Sequence, residues 1–189
     1  LKESQLIRCS WCGTDELYTK YHDEEWGKPV ADDKILFEFL VLESAQAGLS
    51  WITILRRREN YRKAFADFSA IKTAQFTQED VEQLMQDTGI IRNRLKIKSA
   101  ISNAILFLQV QKEYGSFHKY LLDFFPEGKP LINTLNPGGP VPATSEISDR
   151  ISKDLKKRGF RFFGPTICYA YLQAVGLVND HTVNCSFRF

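Results

Sequence analysis

Helical periodicity runs through almost the whole chain and limits its fold more than any other feature. The segment DDKILFEFLVLESAQAG (32–48) opens on two acids and carries apolar residues at 35, 36, 37, 39, 40 and 42. It closes on Gly48, which suits the left-handed position past a helix end. Ser50 is placed to cap a next helix over about 51–65. In TQEDVEQLMQDTG (77–89), Thr77 and Asp80 have capping-box spacing and Gly89 marks the stop. A long helix is predicted over about 93–113, with Ile97, Ile101, Ile105 and Leu108 on one stripe. Shorter ones follow over 116–125, closed by Pro126, from Thr144 or Ser145 to Gly159, and from Pro165 onward. Residues 126–143 are rich in Pro and Gly and read as a long loop, functional or poorly ordered. No alternating stretch of useful strand length stands out, and no internal repeat. These features predict an all-α fold of about seven to nine helices.

The helix over 32–48 carries a residue foreign to an apolar face. Leu36, Leu40, Glu43 and Ala47 are spaced three or four apart, so Glu43 is a carboxylate on an apolar stripe. Burying it unpaired is expensive. Either it meets an arginine or a backbone donor, or its partner is a ligand. Five aromatic residues lie in the same N-terminal region: Trp11, Tyr18, Tyr21, Trp26 and Trp51. Any one of them alone is more often core than binding surface. All three tryptophans of the chain are among them, which favours a site that stacks a flat cation.

The chain has 189 residues, 43% apolar and 25% charged, enough for one globular domain over 1–189 with a real core. No apolar run approaches the roughly 20 residues of a membrane span. The start, LKESQLIRC, lacks an apolar core of a leader, so no signal peptide is predicted and the expected location is cytoplasmic. A formal charge of +2 says little by itself. Three basic clusters, LRRRENYRK (55–63), IRNRLKIK (91–98) and DLKKRGFR (154–161), make a basic surface plausible, although each alone reads as a solvated helix face.

Near the end, NDHTVNC places His181 and Cys185 one helical turn apart, like half of a metal site. Nothing in the composition calls for disulfides, so Cys9, Cys12, Cys168 and Cys185 read as metal ligands or free thiols. Cys168 sits in an apolar helix and reads as a core thiol, and His118 has no partner at metal spacing. Two quartets remain. One is Cys9, Cys12, His181 and Cys185, favoured by its Cys-x2-Cys spacing; the other is Cys9, His22, His181 and Cys185. Either suits tetrahedral Zn(II) with no open position, a structural site tying the two ends together.

Four stretches, RCSW (8–11), YTKYHDEEWG (18–27), LESAQAGLSWITIL (42–55) and GFRFFGPTICYAYLQAVGLVNDHTVNC (159–185), together resemble the 3-methyladenine DNA glycosylase I family, bacterial alkylation-repair enzymes of the helix-hairpin-helix superfamily. LMQDTGIIRNRLKI (84–97) is similar to that family's hairpin. The resemblance covers nearly the whole chain. It implies one structural zinc per chain on Cys9, His22, His181 and Cys185, which overrides the spacing preference for Cys12. It further implies a zinc-bearing lobe from both termini and a helix-hairpin-helix lobe over about 50–125.

The same resemblance implies a flipped base sandwiched by Tyr21 and Trp51, lined by Tyr18, Trp11 and Trp26, and read at its amino edge by Glu43, the best catalytic candidate. DNA is expected on the hairpin Gly89, Ile90, Ile91, Arg92 and Arg94, with Lys96 adding charge and Leu49 filling the vacated gap. The implied activity is hydrolysis of the N-glycosidic bond of 3-methyladenine in double-stranded DNA, by a monomer in the bacterial cytoplasm at the nucleoid, with no membrane partner. Between Leu95 and Tyr114 only Glu113 is acidic, so the catalytic Asp of many such glycosylases has no counterpart there. Asp123 and Asp180 are formal candidates, Asp180 reading instead as a partner of the metal ligands. No nucleophilic lysine is evident, despite Lys96 and Lys98. The alternative is a zinc-stapled helix-hairpin-helix protein that binds DNA without chemistry. An acidic, aromatic pocket separates the two, since a pure binder has no use for one.

Overall fold

A computed structural model describes residues 6–189; the first five residues, which the reading for a leader includes, lie outside that range. Ten α-helices are present among the described residues. They are α1 (Glu16–Glu24), α2 (Asp33–Gln46), α3 (Trp51–Leu55), α4 (Arg58–Ala64), α5 (Ala70–Thr73), α6 (Gln78–Gln86), α7 (Arg94–Tyr114), α8 (Phe117–Leu122), α9 (Glu146–Arg158) and α10 (Pro165–Ala174). Their starts follow the caps. Asp15, Asp32, Asn93 and Ser116 accept from first-turn amides, and Thr77–Asp80 and Ser145–Ser148 form capping boxes.

The helix predicted over 51–65 is two helices. It breaks at Arg56 and Arg57 because three successive arginines serve partners in different directions. Arg56 pairs with Asp15, Arg57 donates to the carbonyls of Thr88 and Gly89, and Arg58 bridges Glu25 and Glu38. The first basic cluster is therefore largely internal wiring. The helices α1 and α5 were not marked by periodicity either, α5 being a single turn.

Helix α2 is the axis of the core. Ten consecutive residues, 36 to 45, are buried, with α3, α7, α8 and α10 packed around them. A helix buried on all sides is the centre of a domain rather than a surface element.

Two short strands, absent from the sequence expectation, finish the fold. β1 (Leu131–Ile132) pairs in parallel with β2 (Val178–Asn179), and a bridge joins Leu135 to Thr182. Two residues are too few to leave an alternating signature. Their effect is to stitch the Pro/Gly-rich loop onto the segment carrying His181 and Cys185. The N-terminal segment is sutured to the same region. The amides of Gly27 and Val30 donate to the carbonyls of Gln173 and Val175, and Gly176 packs its backbone so closely on Lys28 that a Cβ would lie 2.1 Å from the Lys28 carbonyl carbon.

Candidate active site and metal cluster

Two glutamates lie buried on α2 and have opposite surroundings. Glu38 accepts from Arg58 at 2.6 Å and from Arg62 at 2.9 Å. Glu43, only 3% exposed, has no ion-pair partner, and its Oε2 has no hydrogen-bond partner among the described residues. Burial alone pushes its carboxyl up to about 8. The first alternative for Glu43, an arginine or a backbone cap, is thus excluded within the protein, and its charge is felt by Tyr18 and Tyr21.

Those rings belong to one aromatic cluster. Tyr21 stands 5.5 Å from Trp51, Trp11 lies 5.0 Å from Tyr18 and 6.4 Å from Tyr21, and Phe39 backs Trp51 at 6.3 Å. The buried indole N–H groups of Trp11 and Trp51 have no acceptor among the described residues, so unpaired donors as well as an acid lie here. The Tyr21 and Trp51 planes are tilted by 52°. Two stacking contacts need roughly 7 Å, so a planar base entering between these rings must part them. Trp51, half-buried at the start of a five-residue helix, is the ring less tightly held. Trp26 sits a layer behind, 4.8 Å from Trp11 and 4.7 Å from His181, on the side of the metal ligands.

The ligand atoms of Cys9, His22, His181 and Cys185 lie within 4.8 Å of one another, and all four residues are buried. Cys9 Sγ is 3.6 Å from His181 Nδ1, Cys185 Sγ is 3.6 Å from His22 Nε2 and 3.3 Å from His181 Nδ1. A tetrahedral ion bound by sulfur and imidazole at ordinary zinc distances separates its S and N ligands by about 3.6 Å. The far ring nitrogens are held outward. His22 Nδ1 meets Asp23 Oδ1 at 2.8 Å, and His181 Nε2 meets the Trp26 carbonyl at 3.0 Å, which turns His22 Nε2 and His181 Nδ1 inward; the Cys9 amide donates to the former at 3.3 Å. Burial pushes the Cys9 thiol up, but its contacts with the two histidines and Thr182 outweigh it and bring it below the ordinary range.

Cys12 is outside this cluster. Its thiol donates to the Cys9 carbonyl at 3.1 Å, and burial raises it. Spacing alone therefore favoured the wrong quartet. Asp180, read as a partner of the metal ligands, instead accepts from Tyr169, Gln173 and Asn133 and locks the long loop. Asp23 is the carboxylate behind a ligand; its place directly after His22 was the available signal.

The predicted DNA-contacting residues divide. Arg92 is exposed and Leu49 is 38% exposed on the turn after α2. Ile90 is a core residue, 3% exposed, because the hairpin needs an apolar anchor. The Gly89 amide donates to Asp87 and the Ile91 amide to Tyr61, while Asn93 caps the start of α7. Arg94 pairs with Glu82. Lys96 is no free cation: its ammonium donates to the Ala45 and Ala47 carbonyls, and an amine so held is not poised for Schiff-base chemistry. A second hairpin, residues 159–164 between α9 and α10, was not singled out for DNA. It leads into α10 through Gly164 and Pro165 with no side-chain cap, beside Lys98, Lys156 and Arg161 lining a groove of about 1110 Å³.

A lone buried acid walled by rings, flanked by hairpins with cations at their tips, is the layout of a protein that draws a base out of DNA. The family model described as methyladenine glycosylase matches residues 11–189, and this chain belongs to that family. The DNA-3-methyladenine glycosylase 1 of Escherichia coli K12 is 49% identical over 180 residues, covering 95% of this chain and 96% of that one. The DNA-3-methyladenine glycosylase of Haemophilus influenzae is 45% identical, covering 94% and 96%. A crystal structure of 3-methyladenine DNA glycosylase I superposes with a TM-score of 0.91 at 48% identity, covering 95% of this chain and 98% of that one. The Staphylococcus aureus enzyme, in a study of 3-methyladenine recognition, does so with a TM-score of 0.92 at 37% identity, covering 96% of each.

The raised Glu43 carboxyl sets a pH dependence of stability. The folded state holds this proton up to about pH 8, whereas the unfolded chain releases it near an ordinary glutamate value, so stability is lost as pH rises between the two. Glu43→Gln removes that loss. Its stability relative to the parent should rise by on the order of 2–4 kcal/mol from about pH 5 to about pH 9, read by urea denaturation at both ends; a pH-independent difference refutes the assignment.

Proposed function

We propose that this chain is a monofunctional DNA glycosylase that hydrolyses the N-glycosidic bond of 3-methyladenine in duplex DNA, the first step of base excision repair. The observation that carries this reading is Glu43, the buried carboxylate left without a protein partner among unpaired indole donors and stacking rings. An adenine methylated at N3 is cationic in DNA. It supplies the charge and the amino N–H that Glu43 lacks, while neutral adenine supplies no charge, so the energy of ionising Glu43 becomes selectivity. Tyr21 and Trp51 stack the base, Tyr18 and Trp11 close the wall, and Trp26 braces Trp11. When the bond to C1′ breaks, its electron pair returns to the ring and the base departs neutral. Water adds to the sugar cation and releases its proton to solvent, leaving a hydroxyl on C1′. The leaving group needs no protonation, which fits a pocket without a second acid. DNA binding without catalysis leaves this pocket unexplained.

The donor set of Cys9, His22, His181 and Cys185 fits one structural Zn(II) per chain, with all positions filled by protein. The ion would supply cohesion between the chain's two ends and no reactive position. We assign the duplex to both hairpins. Arg92 on the first, and Arg161 with the uncapped start of α10 on the second, meet phosphates; Leu49 fills the gap left by the flipped nucleotide. The working unit is one domain of two lobes, monomeric, acting on chromosomal DNA in a bacterial cytoplasm like that of its relatives.

Three outcomes test this reading. Methylated duplex DNA incubated with the protein should release 3-methyladenine into solution, and Glu43→Gln should lower kcat/KM by about a hundredfold with the fold retained; a fully active variant removes Glu43 from the mechanism. Elemental analysis should find about one zinc per chain, and chelation should lower Tm by at least several degrees, whereas undiminished stability without metal discards the site. Arg92→Gln and Arg161→Gln should each reduce the slope of log affinity against log salt by about 1 on duplex DNA, and an unchanged slope removes that arginine from the interface.

A further inference from the structure

Lys96 occupies the first turn of α7, yet its side chain serves a different element. Helix α2 ends at Gln46, and its last carbonyls lack helical partners. Lys96 Nζ donates to two carbonyls at this end, Ala45 at 2.8 Å and Ala47 at 2.6 Å. The turn beyond is closed on itself: the Leu49 amide donates to the Gln46 carbonyl at 2.7 Å, and Gln46 Nε2 returns a bond to the Leu49 carbonyl at 3.1 Å. Gly48 at φ 79° gives the turn its direction. Leu49 stands exposed on this turn and Trp51 starts the next helix. Trp51 is also held by the Tyr21 and Phe39 rings, whereas Leu49 is carried on the turn and is 38% exposed.

We propose that Lys96 is a positioning residue for base extrusion: its ammonium bolts the Leu49 turn to the first turn of α7, fixing the distance between the gap-filling side chain and the hairpin that grips the backbone. The inference rests on the proposed excision of 3-methyladenine, and release of that base by the parent protein tests that reading separately. A helix cap alone stabilises the fold and is indifferent to the substrate. A bolt between these two elements matters for duplex and not for the free base, because only duplex requires Leu49 and the hairpin to engage one nucleotide together.

The experiment compares Lys96→Met, which keeps the apolar stem, with the parent on a duplex bearing 3-methyladenine and on free 3-methyladenine. Duplex kcat/KM should fall about ten- to a hundredfold, while affinity for the free base stays within about twofold. In a Leu49→Ala background the same change should have little further effect, since both residues act through one element. Lys96→Arg, which keeps the charge and two donors, should recover duplex activity to within about threefold of the parent. Additive losses with Leu49→Ala, equal losses on duplex and free base, or a folded but unrescued Lys96→Arg each overturn the proposal. A Lys96→Met protein that does not fold assigns the residue to the core and overturns it as well.

Discussion

An uncompensated carboxylate at the centre of the core is the constraint on which this structure turns. Glu43 lies on a helix with ten successive buried residues, where a charge without a partner costs several kcal/mol. The fold has the means to neutralise such a group, as Glu38 shows one and a half turns earlier with two guanidiniums upon it. At Glu43 no such partner is provided. The stability lost there is recovered elsewhere, in the aromatic packing around α2 and in the capped helix starts. The result is a buried acid among aromatic rings, which the proposed cationic base would complete.

The Cys2His2 cluster and the aromatic wall are one construction. Helix α1 carries Tyr18, Tyr21 and His22 within two turns, so any shift of His22 carries both tyrosines with it. Trp11 follows Cys9 by two residues and packs on His22 at 5.3 Å as well as on Tyr18. Trp26 adds its ring to this packing, and its carbonyl accepts from His181 Nε2. Drawing Cys9 and Cys185 together therefore sets the aromatic wall. The short parallel pairing of β1 and β2 fixes the other side of the same segment.

Local signals wrote the helix starts legibly into the sequence. Thr77–Asp80 and Pro165 start helices and Gly48 and Gly159 end them as their chemistry predicts, whereas Ser50, expected as a cap, meets the Thr53 hydroxyl and not the α3 backbone; the apolar stripe exposed Glu43 as an anomaly. What stayed illegible depends on contacts distant in sequence. The break at Arg56 and Arg57 follows from carboxylates and carbonyls that residues 51–65 do not contain. A hairpin motif does not reveal that the Ile91 amide meets Tyr61, that Arg94 pairs with Glu82 or that Ile90 turns into the core. Cys12 matched a metal spacing, but spacing is blind to a carbonyl at 3.1 Å that accepts a hydrogen bond from its thiol. Lys96 read as loose charge because its two acceptors lie some fifty residues away.

The distribution of acids also explains how little catalytic apparatus the site carries. Asp180 is committed to three hydrogen-bond donors, Asp123 is exposed at the end of α8, and Glu113 pairs with Arg158. None faces the rings around Glu43. A pocket with a single carboxylate suits a leaving group that already carries its positive charge, because departure relieves that charge without a proton. The same economy makes the site selective. A neutral purine would have to break its bond while Glu43 either stayed protonated or ionised against no cation, and neither state helps the sugar develop positive charge. Under the proposed function, discrimination and rate acceleration come from one electrostatic arrangement, set by what the core withholds from Glu43.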